Sequence, residues 1–154
     1  MLEPKRILIA TDFSEQSDRA VEDGASLAAR LSAQVVVVHV IEENIKQCAV
    51  DYMVDYCLAD DFVATFEREL SKAANERLSS MVRSLSDSHG LRAEYVVRKG
   101  DAAEAIVEEC TRQNADLLVI GSSGKGGKLR RAVGSTTDAV LRQAPCPVLV
   151  TAQR

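Results

Sequence analysis

The sequence has little that would serve nucleic-acid binding or membrane insertion. It contains no tryptophan, and aromatic residues are only 4% of its 154 residues, which leaves few surfaces on which unpaired bases could stack. The formal net charge is −4, whereas a dedicated nucleic-acid binder is basic. The longest nearly continuous apolar run, residues 35–41, is interrupted by His39 and is far too short to span a bilayer. We therefore expect no nucleic-acid partner and no membrane insertion.

Metal-ligating and disulfide patterns are also scarce. The four cysteines show no Cys-x-x-Cys spacing, and the two histidines add no pair of ligands, so a zinc site is not expected. The first residues carry no recognisable secretion signal. We expect a cytoplasmic protein with reduced thiols, and a disulfide between Cys48 and Cys57 is the alternative. The sequence assigns no redox role to the cysteines.

The composition is that of an ordinary globular domain. Apolar residues are 46% of the chain and charged residues 27%, which excludes a disordered, collagen-like or coiled-coil protein. The length is enough for one hydrophobic core. Because no repeat, low-complexity stretch or linker divides the chain, we predict a single domain over residues 1–154.

Strand and helix patterns alternate along the chain. Between the strands, apolar residues at helical spacing predict four helices, which follow Ser14, residue 61, Asp101 and Gly134. Residues 42–61 carry six acidic residues and one lysine, which is typical of a surface connection with some helix. Short apolar runs predict buried strands over residues 6–11, 34–41, 93–98, 116–121 and 147–152.

This order predicts an α/β fold, namely a five-stranded parallel, doubly wound sheet with helices on both faces. The second strand has five valines in the seven residues 35–41, as expected of a strand that is buried on both faces. Ligands of such folds bind outside the carboxyl ends of the strands, where the strand order reverses. The predicted carboxyl ends fall at Asp12, Ile41, Gly100, Gly121 and Ala152.

A basic, glycine-rich segment over residues 121–137 follows the fourth strand and ends at the start of a helix. Glycine lets backbone N–H groups approach an anion closely, and a helix N-terminus at Ser135 and Thr136 favours phosphate. The segment is not a P-loop, because Gly127 stands where a lysine is required after Gly126. If Lys128 is taken instead, the spacing is one residue too long and Leu129 replaces the required serine or threonine. It predicts a polyphosphate site, and a flexible basic surface loop is the alternative.

The spacing Gly121-x2-Gly124-x9-Gly134-Ser135 resembles the nucleotide-binding signature of the universal stress protein family. The resemblance extends to residues 11–14, 38–41 and 144–150 and so covers nearly the whole chain. It implies a Rossmann-like fold of the adenine nucleotide α-hydrolase-like kind. It also implies binding of ATP or AMP with Mg²⁺, and the full glycine pattern resembles the ATP-binding branch of the family.

The resemblance also implies a set of site residues. Asp12, which follows Thr11, resembles the family's aspartate at the adenine and ribose. Val40 resembles the position whose backbone contacts the adenine edge, and Gly100 a position near the ribose. Ser123 departs from the family, which often has histidine there. The phosphate loop is matched by Gly121, Ser122 and Gly124 at its start and by Gly134, Ser135 and Thr136 at its end. We do not expect protein side chains alone to hold the Mg²⁺ ion.

Simpler structural roles remain open for several of these residues. Asp12 could cap local N–H groups, and His39 is more typical of a hydrogen-bonded residue inside a strand than of a catalytic base. His89 stands at a predicted helix end, where a cation favours the dipole. Cys146 lies between two prolines and is expected to be packed.

The predicted function is an adenine-nucleotide-binding stress-response module that acts as a regulatory or signalling homodimer. The resemblance implies that two copies meet through the last strand, around Val148, Leu149 and Val150, and an apolar edge strand favours such cover. The downstream regulatory partner is not predicted. No catalytic constellation is recognisable, so any ATP hydrolysis is expected to be slow. The alternatives are a nucleotide-free interaction module and a slow ATPase or autophosphorylating protein.

Overall fold

The computed structural model describes residues 3–42, 56–123 and 133–152, with side chains from residue 61 onward in the second range. Strands and helices alternate as predicted, and most of their bounds agree within two residues. The strands are β1 (Arg6–Ala10), β2 (Gln34–Glu42), β3 (Ala93–Gly100), β4 (Leu117–Gly121) and β5 (Val148–Thr151). The helices are α1 (Glu15–Leu31), α2 (Tyr56–His89), α3 (Ala102–Arg112) and α4 (Ser135–Gln143).

The five strands form one all-parallel sheet in the order β3-β2-β1-β4-β5. The predicted doubly wound α/β fold is therefore confirmed. β1 lies at the centre, where Leu8 pairs with Val36 of β2 on one side and with Leu118 of β4 on the other. The strand order reverses between β1 and β4, so the crevice at their carboxyl ends is the place where this fold binds ligands. β3 is longer than predicted because its pairing with β2 continues to Gly100.

Two layers of apolar side chains hold the helices to the sheet. On one face, Ile7 and Ile9 pack with residues of α1 and α2, and on the other face Leu8 packs with residues of α3 and α4. These three side chains of β1 have no exposed surface, which explains why the strand does not alternate between apolar and polar residues. α1 approaches the sheet closely at Gly24, where a Cβ atom would lie 2.7 Å from Cδ1 of Ile9.

The helix ends follow the local sequence. The Ser14 hydroxyl accepts a hydrogen bond from the Ser17 N–H over 3.2 Å, and the Asp101 carboxylate accepts one from the Glu104 N–H over 3.0 Å. Gly90 ends α2 with a φ of 63°, a conformation that glycine adopts without strain. Helical structure is present from Tyr56, and the rest of the acidic connection, residues 43–55, lies outside the described residues. Across the ranges described, no helix combines the length and hydropathy needed to cross a membrane.

Two cysteines that are far apart in sequence meet in the layer of α3 and α4. Cys110 is buried in α3, and Cys146, just before β5, packs against the same cluster with its thiol free. Burial, together with the neighbouring thiol of Cys146, raises the pKa of Cys110 to about 12. Such a thiol stays protonated at neutral pH and is a poor nucleophile. The alternative pairing of Cys48 with Cys57 concerns side chains outside the described part of the chain.

Candidate functional site

A cavity of about 750 Å³ lies at the carboxyl ends of the strands, at the predicted switch point. It is bounded by the ends of β1, β2 and β4, by the first turns of α3 and α4, and by one face of α2. Its lining comprises residues 10–13, Ser17, residues 38–42, Leu70, Ala73, Ala74, Arg77, Ala102, Ile106, Ile120, Gly121, Ser123 and residues 134–137.

The cavity brings together most of the residues that the sequence predicts for the site. Seven of them line it, namely Thr11, Asp12, Val40, Gly121, Gly134, Ser135 and Thr136. Gly100 and Ser122 lie next to the lining but not in it, and Gly124 lies outside the described residues.

The two adjacent residues shape the walls of the cavity. Gly100 pairs with Glu42, a lining residue, and its φ of 127° turns the chain toward the helix cap at Asp101. Ser122 connects three elements through its backbone, because its N–H donates to the Thr151 carbonyl over 2.9 Å and its own carbonyl accepts from the Gly134 N–H over 2.7 Å. The sequence places both residues at strand ends, but it does not indicate whether they line the cavity or lie behind its lining.

The turn between β1 and α1 is held by side-chain hydrogen bonds. The Thr11 hydroxyl is buried, accepts from the Phe13 N–H over 3.1 Å and lies 3.0 Å from the Ser17 hydroxyl. The Asp12 carboxylate accepts from the Ser14 N–H over 3.0 Å. Asp12 therefore caps a local N–H group, as the simpler interpretation holds, and also lines the cavity. Phe13 adopts a φ of 63°, a left-handed conformation that is uncommon for an aromatic residue.

Three side chains from different elements stack at this turn. The His39 ring of β2 lies 4.2 Å from the Phe13 ring, centroid to centroid, and the Arg77 guanidinium of α2 lies 4.4 Å above the same ring. Nδ1 of His39 is 2.8 Å from the Thr11 carbonyl oxygen. Because a carbonyl oxygen only accepts, Nδ1 carries the proton in this bond. The stack fixes the turn against both β2 and α2.

The N-terminus of α4 faces the cavity without a side-chain cap. Its N-cap residue is Gly134, which has no side chain to accept from the first-turn N–H groups, whereas Ser14 and Asp101 cap α1 and α3. The Thr137 hydroxyl donates to the Gly121 carbonyl oxygen over 2.8 Å and so fixes this turn to the end of β4. Uncapped N–H groups and the positive end of the helix dipole together favour an anion.

The wall formed by α2 was not predicted from the sequence. Leu70, Ala73, Ala74 and Arg77 recur at helical spacing and share one face of the helix. The spacing of the first three predicts a face against the core, and it does not show that this face lies beside the strand ends. The one feature of the sequence that could have indicated this wall is Arg77, a cation that continues an otherwise apolar stripe of the helix.

Comparison with known proteins finds relatives that match nearly all of this chain. The model of the universal stress protein family matches residues 3–152. A universal stress protein of Methanocaldococcus jannaschii is 30% identical over 146 residues, which are 95% of this chain and 81% of the relative. One of Thermus aquaticus is 31% identical over 147 residues, 95% of this chain and 97% of the relative.

Solved structures share the fold. Universal stress protein UspA from Lactobacillus plantarum matches with a TM-score of 0.79 and 22% identity, over 95% of this chain and 96% of that protein. A universal stress protein solved in complex with cAMP has a TM-score of 0.63 and 21% identity, and one from Archaeoglobus fulgidus solved with dAMP has a TM-score of 0.61 and 22% identity. Each match covers 97% of this chain and 98% of the other. On the evidence of the family match and of these relatives, the chain belongs to the universal stress protein family.

Proposed function

We propose that this chain is an adenine-nucleotide-binding module that acts as a regulatory or signalling homodimer in the cytoplasm. One observation carries the proposal: the uncapped N-terminus of α4 lines a large cavity at the point where the strand order reverses. A phosphate group at that turn would supply the acceptors that the first-turn N–H groups lack.

The size and chemistry of the cavity fit a nucleotide. Its volume of about 750 Å³ lies within the range of roughly 300–1,000 Å³ that small-molecule sites occupy. Apolar side chains that suit a planar base come from the strands and from α2 and α3, and include Ala10, Val38, Ile41, Leu70, Ile106 and Ile120. Polar N–H donors are concentrated at α4. A ligand with an apolar body and an anionic end matches this division.

Each candidate residue has a proposed contact. The α4 N–H groups and the hydroxyls of Ser135 and Thr136 would hold the phosphates, together with the glycines at 121, 124 and 134. Asp12 would contact the ribose or base, and the Val40 backbone the adenine edge. Gly100 and Ser122 would support the ribose and phosphate ends from behind the wall. Mg²⁺ would be held through the phosphates, where it neutralises their charge, and not by protein side chains alone.

Two neighbours support adenine nucleotides as the ligand class. One universal stress protein of the same fold was solved with cAMP and another with dAMP. Backbone N–H groups bind a phosphate group, but they distinguish poorly between ligands with one phosphate and ligands with three. We therefore propose ATP or AMP, with Mg²⁺ in the case of ATP, without a choice between them.

We further propose that the dimer forms through β5. This strand is at the edge of the sheet, and the Leu149 side chain is exposed there. An exposed apolar edge strand favours pairing with another chain, and a second copy related by a two-fold axis closes the assembly. The single domain proposed for residues 1–154 contributes one nucleotide site to each half of this dimer.

Native mass spectrometry of the protein as purified from cells, without added nucleotide, tests these proposals together. The expected spectrum shows a dimer that carries ATP or AMP. An empty dimer that also fails to bind added ATP would contradict nucleotide binding and favour the nucleotide-free interaction module. Steady-state release of phosphate by a nucleotide-loaded dimer would instead favour the slow ATPase.

A further inference from the structure

We propose that Arg77 of α2 recognises the anionic phosphate end of the ligand, so that charge recognition is shared between α2 and the N-terminus of α4. The inference rests on the proposed nucleotide site and concerns a residue outside its signature. It predicts that Arg77 distinguishes a nucleotide from the uncharged nucleoside.

The donors of Arg77 are mostly unused by the protein. A guanidinium has five N–H donors. In the described part of the chain, one of them donates to the Phe13 carbonyl oxygen, over a long 3.3 Å. Nη2 also forms a long ion pair with the Asp18 carboxylate at 4.0 Å, and the Arg77 side chain is 53% exposed. The other N–H groups donate to none of the described residues.

The guanidinium is also held in a defined orientation. Its Cζ lies 4.4 Å from the centroid of the Phe13 ring, a cation–π contact that holds the group beside the cavity, and a guanidinium can bind phosphate or carboxylate in a two-point contact. Ala73 and Ala74, one turn earlier on the same wall, are small and leave space beside it. An arginine that is oriented in advance loses little side-chain entropy when a ligand binds.

The charged side chains of the cavity lining indicate why Arg77 is needed for an anionic ligand. The described part of the lining includes the carboxylates of Asp12 and Glu42, and both repel a phosphate. Arg77 is the one arginine or lysine among the described lining residues. An anionic ligand in the cavity is therefore expected to pair with the guanidinium, in competition with the Asp18 carboxylate.

Binding of AMP and of adenosine, measured by isothermal titration calorimetry, tests the inference. Arg77→Gln removes the charge, and Arg77→Lys keeps it without the two-point geometry. The matched control is Arg68→Gln, which removes the same charge from an exposed position of α2 outside the cavity lining. Circular dichroism melting of each variant checks that the fold is retained.

We expect Arg77→Gln to weaken AMP binding about tenfold, as for loss of a charge-assisted hydrogen bond. Adenosine binding should stay within about twofold, and Arg68→Gln should change neither, because Arg68 lies outside the cavity lining. The salt dependence of AMP affinity should also fall in Arg77→Gln alone.

Two results would overturn the inference without touching the proposed function. One is wild-type AMP binding that Arg77→Gln leaves unchanged or lowers no more than Arg68→Gln does. The other is an equal loss of AMP and adenosine binding, which would assign Arg77 to packing around the base. If the wild-type protein binds neither AMP nor ATP, the nucleotide site itself is refuted and the inference about Arg77 falls with it.

Discussion

The hydroxyl of Thr137 donates a hydrogen bond to the carbonyl oxygen of Gly121 over 2.8 Å. Thr137 is in the first turn of α4 and is buried, and Gly121 is the last residue of β4. The bond therefore fixes the uncapped helix end against the sheet at the place where the cavity opens. It is independent of any ligand, so the position of α4 is set by the protein itself.

Replacement of Thr137 by valine should destabilise the fold. The change keeps the shape of the side chain but leaves the Gly121 carbonyl without this donor, which costs about 1–2 kcal/mol in the free energy of unfolding. Urea denaturation measures the loss. The control is Thr136→Val, since the Thr136 hydroxyl bonds to none of the described residues. Equal stability of the two variants would show that the bond to Gly121 contributes nothing.

Replacement of Gly134 by leucine should abolish nucleotide binding and leave the fold intact. Gly134 has φ −64° and ψ 156°, an extended conformation that any residue adopts, so the backbone is not strained. The added side chain would occupy space beside the α4 N-terminus, where the phosphates are proposed to bind. Calorimetry gives the affinity, and thermal melting confirms the fold. Unchanged affinity in a folded variant would remove Gly134 from the site.

The buried thiol of Cys110 should make the protein less stable in alkali. Burial raises its pKa from 9.0 to about 12, so the folded protein holds this proton more tightly than the unfolded chain does. The stabilisation is complete below pH 9 and is lost as the pH rises toward 12. One proton contributes a slope of about 1.4 kcal/mol per pH unit at most.

Cys110→Ala provides the comparison for this alkaline effect. The variant should be less stable than the wild type at neutral pH because it leaves a small cavity. Its free energy of unfolding should also fall less steeply from pH 9 upward, since the titrating group is absent. Urea denaturation across this pH range gives both slopes. Parallel curves would mean that other groups cause the alkaline loss.

A lysine at position 149 should convert the proposed dimer into a monomer. Leu149 is 39% exposed on the edge strand β5, and a charge there would be buried without a partner if two β5 strands met. Sedimentation velocity at micromolar concentration reports the change. Phe62→Lys adds the same charge at an exposed position of α2 and should leave the dimer unchanged. A wild-type monomer would contradict the proposed interface outright.

The sequence predicts the fold well because its signals are local. The valine run of β2 indicates a strand that is buried on both faces, and Ser14, Gly90 and Asp101 mark helix ends by their own chemistry. Even the strand ends around the cavity follow from this pattern, since parallel strands bring their carboxyl ends to one edge of the sheet. What differs is the end of β3, where pairing with β2 adds residues beyond the apolar run.

The parts of the site that escaped prediction depend on contacts between distant elements. Arg77 reaches the Phe13 turn only because α2 crosses the strand ends, and no spacing within α2 encodes that position. Cys110 and Cys146 likewise meet because α3 and the start of β5 share a layer. Gly100 and Ser122 were predicted at the correct strand ends, and whether they contact the ligand stays a prediction.

The central place of β1 has a consequence for the order in which the chain can assemble. A growing chain completes β1, β2 and β3 first, and these three strands are neighbours that can pair before the rest exists. The cavity also needs β4 and the first turn of α4, which follow more than a hundred residues into the sequence. A nascent or truncated chain that ends just before α4 therefore has four of the five strands and lacks the helix end proposed to hold the phosphates. Ligand capture should accordingly mark completion of the fold and cannot guide its first steps.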